Sequence, residues 1–437
     1  MDEAQTTGRA HRAFAAVRAW VRLDLGEQRD HLVFLVKWTV LGAVVGVLAG
    51  LAGAAFLLTL EWATETREST PWLLFLLPLA GLGIGLAYHH GAGDAAAGNN
   101  LILDEIHEPK AWIPRRMAPF IYAGTVVTHL FGGSAGREGT AIQMSGSLTD
   151  WFARIARIRP EDRRLLLIAA IAGGFGAVFG VPLAGAVFAL EVQSVGRLRY
   201  DALVPALSAS IVGDLVVRGL GVHHIPVPVI DAVDLTPALV AKVVVAGIAF
   251  GLCALVFVEL THTIRRAFAH TVIYPPLRPF IGGLLVVGLT YAVGTRDYLG
   301  LSIPLITDSL AGAATVVTFA FAFKLLFTSV TLGSGFQGGE VTPLFVIGAT
   351  LGATLGHLLG LPLPLAAAIG FVAVFAGATN TPLACTIMGL ELFGLGPLLP
   401  LVIACTVAYV CSSHRSIYSS QRVDTTKLGR TVDGDTP

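Results

Sequence analysis

The chain has 437 residues, 54% of them hydrophobic and only 13% charged, and its mean hydropathy is +0.73. Its 29 basic and 29 acidic side chains give a formal net charge of zero. This composition excludes an ordinary soluble domain and predicts a polytopic membrane protein, in which 50 glycines are tolerated because neighbouring helices satisfy the backbone groups. No nucleic-acid partner is expected.

The N-terminal residues 1–31 are polar and basic, and they lack an apolar core followed by a cleavage site, so they are not a signal peptide. The segment 1–32 is predicted to be amphipathic and cytoplasmic. Ten apolar segments follow, and because some exceed and others fall short of the roughly 20 residues that cross a bilayer, tilted and broken helices are predicted. They lie near 33–60, 72–90, 118–135, 165–190, 203–220, 236–260, 279–294, 312–332, 343–378 and 382–411.

Basic residues indicate the orientation. Five arginines cluster within 154–164 and two more stand at 197 and 199, whereas 221–235 contains no lysine or arginine. The positive-inside tendency puts the first two loops in the cytoplasm and 221–235 outside. The predicted divisions are therefore a first membrane repeat at 33–220, an extracytoplasmic linker at 221–235, a second and inverted repeat at 236–414, and a tail at 415–437. Both termini are predicted to be cytoplasmic.

The two halves carry matching motifs offset by 200 residues. GSAGREGT at 133–140 shares its opening Gly-Ser and a later glycine with GSGFQGGEVTP at 333–343, and the run PLA at 182–184 reappears at 382–384. Two halves that each interrupt their membrane helices are typical of a secondary transporter whose substrate lies at the repeat interface, against the positive ends of broken helices. An anion is the expected cargo.

Glu138 is the residue for which the first motif predicts a mechanism. It stands in a glycine-rich break at a predicted helix N-terminus, where free N–H groups bind negative charge. The carboxylate can fill the anion position when ionised and leave it when protonated, which links proton and anion occupancy. The alternative is a helix-capping glutamate paired with Arg137, but an ionisable residue at membrane depth favours the functional interpretation.

Polar groups at two further places suit an anion or a proton. Asn99 and Asn100 follow a glycine-bounded loop, and an amide offers two donors to a small, strongly hydrated anion; the alternative is ordinary N-capping. Glu340 lies inside the second motif, where it would carry protons or hold Thr342 and the backbone in place. The alternative is a carboxylate satisfied by local backbone donors.

Other polar residues are interpreted more simply. The four cysteines show neither paired spacing nor a histidine partner, so they are interpreted as small buried hydrophobes and not as a disulfide or zinc site. Glu191 and Glu391 occupy matching positions at helix ends and are expected to be structural, while His129 and Lys324 have no assigned role. The chain has no HExxH, no GxSxG and no paired intramembrane aspartates, so no enzyme, cofactor or metal is expected.

Taken together, the motifs resemble those of the CLC family of chloride channels and anion/proton antiporters. GSAGREGT, the run GGFGAVFGVPLAGAVFALE, and GGEVTP followed by TPLACTIMGLELFG occur in the family's order, and the resemblance spans roughly 33–422. It implies an all-α polytopic membrane fold, built as an inverted repeat with tilted and broken helices. It also implies a twofold homodimer with one anion pore in each subunit.

Departures from the chloride-type pattern resemble the fluoride-specific bacterial branch of this family. They are Thr140 in place of the usual proline, Asn99 at the aligned central serine, Glu340-Val341-Thr342 in the second filter, and Val192 in place of a second acid after Glu191. The resemblance implies a fluoride/proton antiporter that expels fluoride across the bacterial inner membrane and confers fluoride resistance. A chloride/proton antiporter and a passive anion channel of the same fold are the alternatives.

The resemblance also implies which residues line the transport path. Gating and proton coupling would involve Glu138, Glu340 and Thr342. The anion would be bound by Asn99, Gly136, Arg137, Gly139, Thr140, Val341 and Tyr418. Tyr418 matches in position the tyrosine at the inner anion site of chloride-type relatives, and the alternative for it is an interfacial anchor. The expected partners are fluoride, protons, the lipid bilayer and a second copy of the chain.

Overall fold

The structure, a computed structural model, describes residues 25–313, 316–427 and 429. These residues form sixteen α-helices and two short parallel strands, β1 (Ser194–Val195) and β2 (Arg422–Val423). The first half contains α1 Leu25–Ser69, α2 Leu77–Ala87, α3 Asn99–His107, α4 Met117–Leu130, α5 Glu138–Ile155, α6 Pro160–Phe179, α7 Pro182–Glu191 and α8 Leu203–Gly219. The second half contains α9 Pro237–Thr271, α10 Leu277–Val293, α11 Ile303–Leu310, α12 Ala320–Gly333, α13 Val341–Leu359, α14 Leu363–Thr379, α15 Pro382–Phe393 and α16 Leu398–Cys411.

Glycines in the left-handed region divide the longest apolar segments. Gly180, with φ +78°, separates α6 from α7; Gly360, with φ +61°, separates α13 from α14; and Gly394, with φ +81°, follows α15. Glycine adopts these angles without the steric penalty of a Cβ, and prolines close behind prevent the helix from continuing. The predicted broken helices are confirmed, and several of them end inside the protein.

The two halves meet where the matching motifs cross. The N–H of Gly136 donates to the carbonyl of Gly339 at 2.6 Å, and the N–H of Gly339 donates back to the carbonyl of Gly136 at 2.9 Å. Immediately after this antiparallel bridge, α5 begins in one half and α13 begins in the other. The crossing therefore brings two helix N-termini, with their free N–H groups, together in the interior.

A second matched pair, Glu191 and Glu391, forms reciprocal helix caps between the two halves. Glu191, the last residue of α7, accepts hydrogen bonds of 3.1 and 2.8 Å from the N–H groups of residues 383 and 384 in the first turn of α15. Glu391 of α15 accepts bonds of 2.9 and 2.7 Å from residues 183 and 184 in the first turn of α7. Each carboxylate satisfies N–H groups that its partner helix leaves free. This contact agrees with the structural interpretation of both glutamates.

The core lies around α6 and α14, which are buried along most of their length. The outer helices α1 and α9 expose many large apolar side chains, as expected for contact with lipid. Within the described ranges, five helical stretches are long and apolar enough to cross a membrane: Glu27–Ser69, Pro71–His107, Tyr200–Gly219, Pro237–Thr271 and Val341–Leu359. Of the predicted segment 1–32, residues 1–24 lie outside the described residues and the remainder belongs to α1.

Candidate functional site

Glu138 opens α5, and its side chain is fully buried at the crossing of the two motifs. One carboxylate oxygen accepts the N–H of Thr342 at 3.1 Å and its hydroxyl at 2.6 Å, and the hydroxyl is 2.8 Å from the other oxygen. The N–H of Arg137 donates at 3.3 Å, and its Nε lies 3.6 Å from the carboxylate. Because Thr342 belongs to the first turn of α13, this one carboxylate joins the two repeats.

Glycines leave the backbone around this carboxylate accessible. A Cβ added to Gly339 would lie 2.9 Å from the backbone nitrogen of Gly139 and 3.4 Å from those of Arg137 and Glu138. A Cβ on Gly136 would lie 2.8 Å from the ring of Pro343. Only glycine therefore allows the two backbones to approach this closely, and the predicted residues Gly136 and Gly139 contribute this space. Val341 is the first residue of α13 and is fully buried.

The structure distinguishes the two asparagines. Asn99 is the first residue of α3, and its amide nitrogen lies 3.1 Å from the position that a Cβ on Gly139 would occupy, so this side chain faces the first motif. Its carbonyl oxygen is buried and has no hydrogen-bond partner among the described residues. Asn100 instead accepts the N–H of Ser420 at 3.1 Å. Asn99 is therefore the member of the pair whose amide nitrogen faces the first motif, although both asparagines line the cavity described next.

A cavity of about 570 Å³ opens toward this region. Its wall includes Asn99, Glu340 and Tyr418 from the predicted set, together with Gln143 and Arg265. We call this cavity the vestibule. Glu340 directly precedes α13 and is partly buried, so the vestibule reaches the second motif two residues before Thr342.

Tyr418 is held in the vestibule wall by the C-terminal segment. Its side chain is 4% exposed and its hydroxyl has no hydrogen-bond partner among the described residues, which argues against an interfacial anchor. The side chain of Gln421 donates to the carbonyls of Val192 and Thr379, both at 2.8 Å, and β2 pairs with β1. Beyond β2, burial lowers the pKa of the Lys427 amine to about 7. No motif or spacing in the sequence predicts that this segment folds back onto the protein.

The side chains of Thr140, His129 and Lys324 have hydrogen-bond partners other than the groups that contact Glu138. The Thr140 hydroxyl is 2.8 Å from that of Thr125, so its side chain is engaged within the first repeat. The ring nitrogens of His129 lie 2.8 and 3.0 Å from the carbonyls of Thr125 and Ala135. Lys324 is fully buried and donates to the carbonyl of Gly300 at 2.7 Å and to other oxygens of the same loop. These contacts suit packing roles for His129 and Lys324.

Gln143 is a vestibule residue that the sequence reasoning missed. It is 7% exposed, and its amide lies 3.3 Å from the position of a Cβ on Gly98, directly before Asn99. Gly98 has φ +61°, which favours glycine. A glutamine within the buried run AIQMSG was the signal available, since buried amides require partners.

The sequence comparisons identify related proteins over most of the chain. The family model described as voltage gated chloride channel matches residues 80–413. A chloride/fluoride channel protein of Pseudomonas syringae pv. tomato is 50% identical over 412 residues, which cover 92% of this chain and 90% of that protein. A voltage-gated ClC-type chloride channel, ClcB of Escherichia coli O81, is 29% identical over 421 residues, covering 86% of this chain and 97% of that one.

Solved structures share the fold. The crystal structure of a CLC-type fluoride/proton antiporter matches with a TM-score of 0.86 and 36% identity, over 89% of this chain and 98% of that chain. A slow cyanobacterial Cl⁻/H⁺ antiporter matches with a TM-score of 0.76 at 19% identity, over 88% and 96% of the two chains. The chain therefore belongs to the CLC family and is an integral membrane protein with the fold of that family.

Proposed function

We propose that this protein exports fluoride in exchange for protons and thereby confers fluoride resistance. The observation that carries the proposal is the position of the Glu138 carboxylate, which is fully buried and occupies N–H donors at the meeting point of two helices. Those donors would otherwise be free for an anion. Protonation of Glu138 removes its charge and releases the donors, so a proton and an anion exchange places at one site.

The second motif supplies the other groups of the mechanism. The hydroxyl of Thr342 contacts both oxygens of Glu138, so these hydrogen bonds are lost when the carboxylate moves away. Glu340 lines the vestibule two residues earlier and offers a second carboxylate on the way to Glu138. We infer that protons pass between the vestibule and Glu138 by way of Glu340, while fluoride passes Asn99 and Tyr418.

Two comparisons support fluoride as the cargo and differ on proton coupling. The similar solved structure is described as a CLC-type fluoride/proton antiporter, and the relative from Pseudomonas syringae is described as a chloride/fluoride channel protein. The second description favours one other candidate, a passive fluoride channel of the same fold. Antiporter and channel differ in whether a proton must move for each cycle.

Proteoliposomes distinguish these functions. Purified protein is reconstituted with equal fluoride on both sides, the membrane potential is clamped, and a pH gradient is imposed. Antiport drives fluoride uphill toward the acidic side, whereas a channel produces no net movement. Protein-free liposomes correct for diffusion of HF, which carries fluoride toward the alkaline side. Failure of fluoride to accumulate on the acidic side rejects the antiporter, and equal transport of chloride rejects fluoride selectivity.

The same proposal includes the cellular setting. We propose a homodimer in the bacterial cytoplasmic membrane, with both termini in the cytoplasm and the linker 221–235 outside. The bacterial relatives and the arginine-rich loops support this arrangement. The mass of the purified protein in detergent, corrected for bound detergent, measures the assembly state, and labelling of single cysteines introduced in the linker and the tail measures the orientation.

A further inference from the structure

The vestibule wall contains a histidine, His89, whose side chain is exposed. It belongs to Tyr88–Ala92, a single π-helical turn between α2 and α3. Such turns are rare and occur frequently at functional sites. The chain continues from this turn through Gly98 to Asn99, so His89 lies on the connection that carries a proposed fluoride ligand.

Packing against α4 sets the direction of this turn. The ring of Tyr88 contacts the ring of Phe120 edge-on, with the centroids 5.5 Å apart. A Cβ on Gly91 would lie 2.6 Å from the same phenylalanine ring, so glycine is what lets the turn approach α4 closely. With Tyr88 and Gly91 directed at α4, the side chain of His89 is left in the vestibule wall.

His89 and Glu340 are the two groups in the described vestibule wall that can exchange protons near neutral pH. The other titratable side chains of this wall are arginines and tyrosines, and arginine keeps its proton whereas tyrosine releases it only in alkali. They are Tyr88, Arg265, Arg278 and Tyr418. Histidine as a residue type changes its charge between about pH 5 and pH 8. The wall therefore presents one imidazole and one carboxylate to the same water-accessible space.

Water can connect these two groups. The vestibule has a volume of about 570 Å³, far above the roughly 10–15 Å³ that one water molecule needs. His89 is exposed, whereas Glu340 is partly buried directly before α13, so His89 lies nearer the entrance. In the proposed orientation this entrance faces the cytoplasm, because α9 begins after the extracytoplasmic linker 221–235 and brings Arg265, near its far end, to the vestibule.

We propose that His89 exchanges protons between Glu340 and the cytoplasm. This inference rests on the proposed function and adds the group at which protons leave or enter the vestibule. During fluoride export, protonated Glu340 releases its proton to vestibule water, and a nitrogen of the His89 imidazole takes it up. The imidazolium then gives the proton to cytoplasmic water and returns to the neutral form. Each step transfers one proton, and all steps are reversible.

The groups around His89 favour release of the proton over its retention. The His89 ring contacts those of His90 on the same turn and Tyr274 on the connection from α9 to α10, with centroids 4.8 and 5.7 Å apart. The two cations of the described wall repel an imidazolium, so a proton on His89 is passed to bulk water. These cations are Arg265 of α9 and Arg278 of α10, and the wall's carboxylate is Glu340.

Replacement of each neighbouring histidine by alanine tests this role. His90 is exposed and its ring contacts that of His89, but it lies outside the vestibule wall. His89→Ala and His90→Ala therefore remove the same atoms from adjacent positions. Fluoride efflux from loaded proteoliposomes is measured at equal, near-neutral pH on both sides, in dilute buffer and with the membrane potential clamped. Protein-free liposomes correct for diffusion of HF.

Added imidazole separates proton exchange from a packing role. It is supplied on both sides, so it creates no pH gradient, and it can enter the space that the alanine leaves. His89→Gln, which keeps a polar side chain but cannot exchange protons at neutral pH, provides a second variant if His89→Ala does not yield folded protein.

His89→Ala is expected to slow fluoride efflux about tenfold, less than the roughly 10²–10⁴ of a group acting in a reacting step, because water still exchanges protons slowly with Glu340. His89→Gln should be as slow, and His90→Ala should keep the wild-type rate. Imidazole should restore most of the rate of His89→Ala and leave wild type and His90→Ala unchanged.

Three results overturn the role of His89: a wild-type rate in His89→Gln, an equal loss in His89→Ala and His90→Ala, or a loss in His89→Ala that imidazole does not restore. These results differ from a failure of the proposed function. In that case wild-type protein itself would not accumulate fluoride on the acidic side, whereas here wild-type antiport remains and the variants alone decide.

Discussion

At the scale of single residues, Glu138 combines two roles: its carboxylate fills an anion position and it can accept a proton. It occupies the helix N-terminus where an anion would bind, and it is a group that a proton can neutralise. A carboxylate that merely capped α5 would need only donors of its own helix. Here Thr342, more than 200 positions away in the sequence, supplies both its N–H and its hydroxyl.

Glu138→Gln is expected to abolish proton coupling, because the amide mimics the protonated side chain and cannot release a proton. Fluoride should then leak passively or stop, and the pH gradient should no longer drive accumulation. The matched control is Glu161→Gln, which alters an exposed acidic side chain in the first turn of α6. Proton uptake that persists with outward fluoride flow in Glu138→Gln would transfer the coupling role to another acid, with Glu340 as the first candidate.

The neighbouring asparagines provide an internal comparison. The amide nitrogen of Asn99, which is a donor, faces the first motif, whereas the side-chain carbonyl of Asn100 accepts the backbone N–H of Ser420. Asn99→Ser is expected to lower the fluoride-to-chloride ratio about fivefold, since one hydrogen bond contributes about 1 kcal/mol. Asn100→Ser should leave the ratio unchanged. The ratio is measured by efflux from loaded vesicles, and the reverse order of the two effects would contradict this assignment.

At the scale of helices, α7 and α15 hold each other through their reciprocal glutamates. Glu191→Ala would leave two N–H groups of α15 without an acceptor, and an unsatisfied buried donor costs about 1–3 kcal/mol. Glu391→Ala should destabilise less, because Glu391 is the more exposed of the two and water can replace it. Unfolding midpoints in mixed detergent micelles should therefore fall in the order wild type, Glu391→Ala, Glu191→Ala. Equal midpoints in all three proteins would show that the caps contribute nothing.

Local sequence predicted the helices and their breaks better than the contacts between them. Gly180 and Gly394 end helices because of their own backbone freedom, so the sequence around them is sufficient. The close approach of Asn99 to Gly139 and the anchoring of the Tyr418 segment by Gln421 depend on segments that are distant in the chain. Helical periodicity and motif spacing carry no information about such contacts. The family resemblance predicted the position of Tyr418 but not the Gln421 hydrogen bonds that hold its segment in place.

At the scale of the whole molecule, the formal net charge of zero hides an uneven distribution. The vestibule wall contains Arg265 and Arg278, and within the described ranges neither forms an ion pair. Arg278 donates hydrogen bonds to the backbone carbonyls of Val272 and Ala269, and Arg265 is exposed on α9. A concave wall with unpaired cations concentrates anions and raises their rate of entry, most strongly at low ionic strength.

Arg265→Gln should therefore slow fluoride entry from the vestibule side, by about threefold at low salt, while added salt should reduce the difference because the Debye length falls to about 10 Å at 0.1 M. Arg266→Gln is the matched control, since Arg266 is exposed on the same helix, bonds to His262 and Thr263 of that helix, and lies outside the vestibule wall. Both variants lose one positive charge, so a general effect of surface potential would slow them equally. Fluoride flux measured against ionic strength separates the two explanations: a salt-dependent loss confined to Arg265→Gln supports attraction by the vestibule, and parallel curves for the two variants contradict it.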